Sequence, residues 1–157
     1  MKVLMVCLGN ICRSPMAEGI LRKLSHERNI EIVVDSAGTG NWHVGEHPDH
    51  RAIATAGKFG VDISNLVARQ FGIPDFERFD KIFVMDKSNL STVAGIARTT
   101  EHKEKIDLLL NQSDPHSDAE VPDPWFGDAD GFLPVYRMME IACINFLNSL
   151  EKNPPLR

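Results

Sequence analysis

The sequence has few of the features that mark secreted, membrane-spanning or nucleic-acid-binding proteins. Its three cysteines, at positions 7, 12 and 143 of 157, are too few for a disulfide framework and lack the paired spacing of a zinc site. No apolar run approaches the roughly 18 residues of a membrane span, and the N-terminal run ends at Gly9, too early for a secretory signal. The net charge of -5, without a basic cluster, argues against nucleic acid. We therefore expect a protein of the reducing cytoplasm, without metal or membrane contact.

Repeats, low-complexity tracts and linkers are also absent, so residues 1–157 are predicted to form one domain. Short apolar segments predict strands at 2–7, 31–37, 80–85 and 105–110, and helical patterns occupy 15–28, 49–59, 87–98 and 131–152. Strands that alternate with helices predict an α/β fold, with a parallel sheet covered on both faces in three layers. Ligands bind such sheets beyond the carboxyl ends of the strands, where Cys7, Ser36 and Asp86 fall.

One short segment carries most of the chemical information. Cys7 is followed by five loop residues, then Arg13 and Ser14, directly after a predicted strand and directly before a predicted helix. A helix N-terminus and a guanidinium keep a thiol ionised and reactive, and the same groups bind a phosphate. The predicted phosphate-binding residues are Leu8, Gly9, Asn10, Ile11, Cys12, Arg13 and Ser14.

The individual residues of this loop agree with anion binding. Gly9 permits close approach to a ligand, and Asn10 tolerates a left-handed backbone while its amide braces the loop. Ser14 is a predicted helix cap and can donate its hydroxyl to the Cys7 thiolate. The alternative is a buried strand cysteine beside a surface arginine, because free cysteine is usually only a small apolar residue. A Walker-type loop is excluded, since G-x-x-x-x-G-K-[ST] does not occur.

A cysteinyl-phosphate mechanism also needs an acid for the departing oxygen. Asp123 lies between Pro122 and Pro124, on a stiff segment that cannot relax into a helix, and is the predicted general acid. The alternative is a turn aspartate on a proline-rich surface loop. Nothing in the residue pattern itself brings this segment to Cys7.

Taken together, these motifs resemble the low-molecular-weight protein tyrosine phosphatases. The resemblance covers essentially the whole chain. In chain order, it is carried by residues 7–15, by Asp-Ser-Ala-Gly at 35–38, Trp-His-Val-Gly at 42–45, Ala-Arg-Gln at 68–70, Met-Asp-Lys-Ser-Asn at 85–89, Asp-Pro at 123–124 and Asp-Gly-Phe at 130–132. It implies a four-stranded parallel sheet similar to flavodoxin and Rossmann folds, with neither metal nor organic cofactor.

The resemblance also implies roles for residues. Cys7 would attack the phosphorus of a phosphotyrosine ester, Arg13 and the loop amides would bind the phosphoryl oxygens, and Asp123 would act as acid and then base. Asn10, Ser14 and Ser36 would form a supporting hydrogen-bond network. In family members the residue at Cys12 can form a reversible disulfide with the nucleophile, although a small packing residue is an equal alternative here. Tyrosine-phosphorylated proteins, and a cognate tyrosine kinase, are the implied partners of an expected monomer.

Departures from the family pattern bear on substrate and regulation. Trp125 and Phe126 stand where many members have two tyrosines, which keeps aromatic walls but removes regulation by tyrosine phosphorylation. Leu66 replaces a histidine that some members tie into the loop network, so the loop is either braced less tightly or braced by another group. Ile11, apolar where arginine phosphatases tend to have threonine, would form with Trp42 and Trp125 a slot for a planar ring. Alternatively, the two tryptophans are partly buried loop anchors.

Two rival functions share this fold. A thioredoxin-coupled arsenate reductase uses the same Cys-x5-Arg loop but needs two relay cysteines near the third strand, and residues 84–90 contain none. Cys143, on the predicted terminal helix, is expected in the core. A non-catalytic phosphotyrosine-binding module would be expected to lack the nucleophile or the acid, whereas Cys7, Arg13 and Asp123 are all present.

Overall fold

Four parallel strands form the centre of the molecule in the computed structural model, which describes residues 1–155. They are β1 (Lys2–Cys7), β2 (Val33–Gly38), β3 (Lys81–Val84) and β4 (Ile106–Leu108). Their order across the sheet is β2-β1-β3-β4, so the order reverses between β1 and β3. In register, Met5 lies opposite Ser36 on one side and opposite Phe83 on the other. The predicted four-stranded parallel α/β sandwich is confirmed.

Six helices surround the sheet within the described part of the chain. They are α1 (Arg13–Glu27), α2 (His50–Gly57), α3 (Pro74–Arg78), α4 (Lys87–Ile96), α5 (Thr100–Glu104) and α6 (Phe132–Lys152). Alternate residues of β1 point to opposite faces, as the two-residue period of a strand requires. Val3, Met5 and Cys7 join the core under α1, α2 and α6, while Leu4 and Val6 join the core under α3 and α4. None of the helices in residues 1–155 is long and apolar enough to span a membrane.

The predicted element bounds need several corrections. The strand predicted at 31–37 is Val33–Gly38, and the strand predicted at 105–110 ends at Leu108, where a 3-10 helix, Leu109–Gln112, takes over. The two five-residue helices α3 and α5 were not predicted, because five residues are too few to reveal helical periodicity. The predicted polar loop at 111–130 contains two further 3-10 turns, Pro124–Phe126 and Ala129–Gly131.

The start of α1 differs from the prediction in a way that matters for the site. The helix begins at Arg13 with Cys12 at the N-cap position, and no side chain caps it. The predicted capping role of Ser14 is therefore wrong. Its hydroxyl lies 3.0 Å from the Cys7 sulfur instead of bonding to a helix amide. The helix N-terminus is thus open toward the loop that precedes it, where an anion can be bound.

Candidate active site

The phosphate loop, residues 7–14, connects β1 to α1 at the point where the strand order reverses. Asn10 turns the loop in a left-handed conformation, with φ of 57°, as the sequence predicted. Its backbone N–H points to the Cys7 sulfur at 3.3 Å. Gly38, at the end of β2, permits the loop to pass close by, because a Cβ there would lie 2.8 Å from the Leu8 carbonyl oxygen.

A directed chain of hydrogen bonds reaches the Cys7 sulfur from the protein interior. The Arg69 backbone N–H donates to Asn10 Oδ1 at 3.0 Å, which fixes the orientation of the Asn10 amide. Asn10 Nδ2 then donates to Ser14 Oγ at 2.8 Å and to Ser36 Oγ at 3.0 Å. Ser14 Oγ accepts a hydrogen bond from Asn10, and its own hydrogen has two acceptors within reach, the Cys7 sulfur at 3.0 Å and the Ala37 carbonyl oxygen at 3.5 Å. The structure thus brings together the three residues of the predicted supporting network.

The chain continues beyond Ser36 to a buried carboxyl group. Ser36 Oγ donates to Glu18 Oε2 at 2.5 Å, and the Arg22 guanidinium pairs with the other carboxyl oxygen. Burial raises the pKa of Glu18, and the contacts with Ser36 and Arg22 oppose this rise without cancelling it. A buried acid therefore terminates the network on the side away from Cys7.

Arg13 is the largest fully buried side chain of the molecule's described part, with 2% of its surface exposed. Its Nη1 lies 2.7 Å from Asp86 Oδ2 and 2.9 Å from the Val121 carbonyl oxygen, and its Nη2 lies 3.5 Å from Asp123 Oδ2. Burial by itself lowers the pKa of Arg13. The interactions of Arg13 with Cys7, Asp86 and Asp123 outweigh burial, so the pKa of Arg13 lies above its ordinary value. A permanently charged guanidinium is thus held beside the Cys7 sulfur.

Long-range backbone contacts bring Asp123 to this place. The Val121 N–H donates to the Met85 carbonyl at 2.8 Å, just after β3, and Arg13 binds the Val121 carbonyl from the other side. Asp123 then begins a 3-10 turn, with Oδ1 accepting the Trp125 N–H at 3.0 Å and Oδ2 facing Arg13. The chain is fixed at 121, so the carboxyl group two residues later faces the phosphate loop.

A cleft opens above the phosphate loop. Its lining includes all the residues predicted to form the substrate wall, namely Ile11, Trp42, Trp125 and Phe126, together with Cys7, Leu8, Gly9, Cys12, Arg13 and Asp123. Ile11 is buried, while the two tryptophans expose 68% and 41% of their surfaces and Phe126 exposes 85%. The rings line the mouth of the cleft, and whether they act as a substrate wall or as partly buried loop anchors stays a prediction.

The three thiols are reduced and differ in position. Cys12 lines the same cleft as Cys7 but is only 4% exposed, and burial together with the nearby Asp49 carboxylate raises its pKa. Cys143 is fully buried in α6, where burial raises its pKa to about 12. Cys143 therefore has the core position that the sequence predicted for it.

Leu66, the position where the family histidine is missing, packs against the larger core and offers its carbonyl oxygen to His47 Nδ1 at 2.9 Å. The Asn10 oxygen is instead held by the backbone of Arg69. The Arg69 side chain is in turn fixed by Asp35, at 2.9 Å, and by Asp75, at 3.0 Å. Of the two expectations for the loop, the structure agrees with bracing by another group.

Four residues that take part in the site were not singled out from the sequence. They are Glu18, His43, Arg51 and Arg69, and Asp86 was placed at the strand end without an assigned contact. His43 lines the cleft with its ring 5.7 Å from that of Trp125. A buried charge was detectable only for Glu18, which is flanked by apolar residues on a predicted helix. For the others no local signal exists, because the contacts that place them in the site, with Trp125, Gly127, Asn10 and Arg13, are to residues distant in the chain.

An α/β sheet with a Cys-x5-Arg loop at its switch point defines a class of proteins that bind phosphoryl groups at a reactive thiol. A family model described as low molecular weight phosphotyrosine protein phosphatase matches residues 2–156. The family member from Schizosaccharomyces pombe is 40% identical over 152 residues, with 95% of this chain and 96% of the relative covered. This chain belongs to the low molecular weight phosphotyrosine protein phosphatase family. The predicted family and enzyme class are confirmed.

Solved structures agree with this assignment. A protein tyrosine phosphatase from Entamoeba histolytica is similar with a TM-score of 0.90 and 35% identity, over 97% of each chain. An arginine phosphatase from Drosophila is equally similar in fold, with a TM-score of 0.90 and 38% identity over 98% of this chain and 99% of that one. Overall similarity therefore does not separate the two substrate classes, and the residues at the cleft mouth must do so.

Proposed function

We propose that this protein hydrolyses phosphotyrosine monoesters on proteins through a cysteinyl-phosphate intermediate. Cys7 is the nucleophile, Arg13 binds the phosphoryl group, and Asp123 is the general acid and then the general base. The observation that carries the proposal is the convergence of a thiol, a buried guanidinium and a carboxyl group on one cleft with aromatic rings at its mouth. Family membership supports the same chemistry.

In the first step the Cys7 sulfur attacks phosphorus in line with the tyrosyl oxygen. The S–P bond forms, the P–O bond to tyrosine breaks, and Asp123 transfers its proton to the departing oxygen. Arg13 and the amides of residues 8–14 stabilise the equatorial oxygens, on which negative charge resides. The Ser14 hydroxyl, 3.0 Å from the sulfur, stabilises the thiolate before attack and after its release.

In the second step water hydrolyses the phosphocysteine. The Asp123 carboxylate accepts a proton from the water as its oxygen attacks phosphorus, the S–P bond breaks, and the electron pair returns to Cys7 as thiolate. Phosphate leaves, and the acid is restored for the next cycle. Both steps use one carboxyl group, which is why its distance from the phosphate loop matters.

Hydrolysis of p-nitrophenyl phosphate tests the assignment. Cys7→Ser is expected to abolish turnover, and Cys143→Ala, a cysteine change in the core, serves as its control. Asp123→Ala is expected to lose about 10² to 10⁴-fold in kcat toward esters with poor leaving groups, whereas Asp128→Ala, an exposed aspartate nearby, should lose little. Full activity of Cys7→Ser would refute the mechanism.

The apolar wall favours phosphotyrosine over phosphoarginine. Ile11 lies buried at the base of the slot, where its apolar side chain offers no hydrogen-bond partner to a guanidinium, whereas a phenyl ring needs none. Turnover of matched phosphotyrosine, phosphoserine and phosphoarginine peptides measures the preference. Ile11→Thr is expected to raise the ratio of phosphoarginine to phosphotyrosine turnover, and a wild-type preference for phosphoarginine would overturn the substrate assignment.

The remaining predictions concern regulation and surroundings. We propose that Cys12 can form a reversible disulfide with Cys7 that stops catalysis under oxidation, since both thiols line one cleft. Tyrosine phosphorylation cannot act at positions 125 and 126, and the single tyrosine, Tyr136, is buried in α6. A cytoplasmic monomer that acts on tyrosine-phosphorylated proteins, with a cognate kinase as a candidate partner, stays a prediction.

A further inference from the structure

Arg51, in the first turn of α2, bridges two loops of the active site that are distant in sequence. Its Nη1 donates to the Gly127 carbonyl at 3.1 Å, and its Nη2 donates to the Trp125 carbonyl at 3.4 Å. The guanidinium carbon lies 5.5 Å from the centre of the Trp125 ring and 4.8 Å from that of Phe132. Arg51 thus binds residues 123–127, here named the acid loop, through both backbone and ring.

The other side of Arg51 is anchored to the phosphate loop. Asp49 accepts from Arg51 Nε at 3.0 Å and from Nη2 at 3.1 Å, and it also accepts the Arg51 backbone N–H at 2.8 Å as the cap of α2. The Asp49 N–H in turn donates to the Ile11 carbonyl at 2.8 Å. A continuous path of hydrogen bonds therefore runs from the phosphate loop through Asp49 and Arg51 to the acid loop.

We propose that Arg51 is a positioning residue that holds the acid loop, and with it Asp123 and the Trp125 wall, at the distance that proton transfer requires. The inference rests on the proposed function, because it assigns Arg51 an effect through Asp123. Among the described residues, Arg51 makes no hydrogen bond to Cys7 or to the rest of the phosphate loop. Only a planar guanidinium can bind a carboxylate with two nitrogens, reach two carbonyl oxygens and stack on a ring. Lysine cannot replace it.

The proposal predicts a loss that depends on the leaving group. A displacement of a catalytic group by about 1 Å can cost about 10²-fold. Arg51→Met should therefore lower kcat/KM, which reports the steps up to formation of the phosphocysteine, by about 10 to 10²-fold for aryl phosphates whose phenols have a high pKa and need the acid. Acidic phenols leave as phenolates without needing a proton, so kcat/KM for their phosphates should change by less than about threefold.

Kinetics on a series of substituted phenyl phosphates provides the test. The variants are Arg51→Met, Arg51→Lys, Asp123→Ala and the double variant of Arg51→Met with Asp123→Ala. Arg137→Met is the matched control, since the Arg137 guanidinium also lies over a ring, that of Phe59 at 5.4 Å, away from the cleft. Thermal unfolding of each variant shows whether it is folded, and Arg51→Lys keeps the positive charge if Arg51→Met unfolds.

The expected result is that kcat/KM depends more steeply on leaving-group pKa in both Arg51 variants than in wild type, whereas Arg137→Met behaves like wild type. The double variant should be no slower than Asp123→Ala by more than about twofold, because residues that act as one unit are not additive. Equal losses across the series, or losses that multiply in the double variant, would overturn the positioning role. If the loss of kcat/KM in Asp123→Ala did not depend on leaving-group pKa, the acid role in the proposed function would instead be refuted.

Discussion

Replacement of Asn10 by alanine and by glycine separates two features that shape the phosphate loop, namely the side-chain hydrogen bonds of Asn10 and its left-handed backbone. Asn10 has φ of 57° and is 3% exposed, and its side chain makes three hydrogen bonds, to Arg69, Ser14 and Ser36. Alanine removes all three bonds and also places a residue that resists the left-handed region there. Glycine removes the same bonds but accepts the backbone conformation.

The magnitude follows from these contacts. Each hydrogen bond contributes about 1 kcal/mol net, so its loss at three buried partners destabilises the protein by about 3 kcal/mol or more. The left-handed conformation costs a residue with a Cβ about a further 1 kcal/mol. We expect a reduction in the free energy of unfolding of about 4 kcal/mol for Asn10→Ala and about 3 kcal/mol for Asn10→Gly.

Urea unfolding followed by tryptophan fluorescence measures these differences, and Asn29 provides the control. Asn29 is also left-handed, with φ of 55°, but is exposed at the end of α1. The difference in the free energy of unfolding between the alanine and glycine variants should be similar at positions 10 and 29. The destabilisation that comes from lost side-chain hydrogen bonds should occur only at position 10. Both Asn10 variants should lose kcat/KM by a similar factor, because Ser14 is no longer oriented toward Cys7. A loss below about 1 kcal/mol for Asn10→Ala would refute the argument.

Two further changes test the wall and the buried acid. A Cβ at Gly40 would overlap the indole ring of Trp42, which is exposed and can swing away. Gly40→Ala should therefore raise KM for aryl phosphates several-fold with little change in thermal stability. An unchanged KM would contradict this prediction. Gly57→Ala, with open space around its Cβ, is the control. Burial raises the pKa of Glu18, so the folded protein binds this proton more tightly than the unfolded chain does. The free energy of unfolding of wild type should then fall, relative to that of Glu18→Gln, as pH rises from 4.5 through the raised pKa. Urea unfolding of both proteins at a series of pH values measures this difference. A difference that stays constant with pH would contradict the prediction.

Residue patterns predicted the fold well where the signal is local. β1 and the start of the phosphate loop follow from a continuous apolar run closed by Gly9, and β1 was predicted with its observed bounds. The strand order was not predictable, because no residue of β3 indicates that it pairs with β1. The ends of β4 were missed for a related reason, since the 3-10 turn after Leu108 continues the same apolar run.

The site shows the same division between local and distant information. Cys7 and Ser14 are seven residues apart, so a strand, a tight loop and a helix already imply their contact. Asp123 reaches the site only through the hydrogen bonds of Val121 with Met85 and with Arg13. Val121 and Arg13 are 108 residues apart in the chain. Resemblance to a known family supplied that placement, whereas the residue pattern alone left a surface turn as an open alternative and did not bring Asp123 to Cys7.

The loss of the family histidine at Leu66 need not loosen the loop, because the Asn10 amide is oriented by a backbone group. The Arg69 N–H can only donate, so it fixes which end of the Asn10 amide is the acceptor. Asp35 and Asp75 hold the Arg69 side chain, and the Arg69 carbonyl accepts the Gly38 N–H at 2.9 Å, so the donor cannot easily move. A backbone donor has no protonation state near neutral pH, unlike a histidine. The orientation of the Asn10 amide is therefore set by a group that does not titrate, and the titratable group of this network, Glu18, lies beyond Ser36.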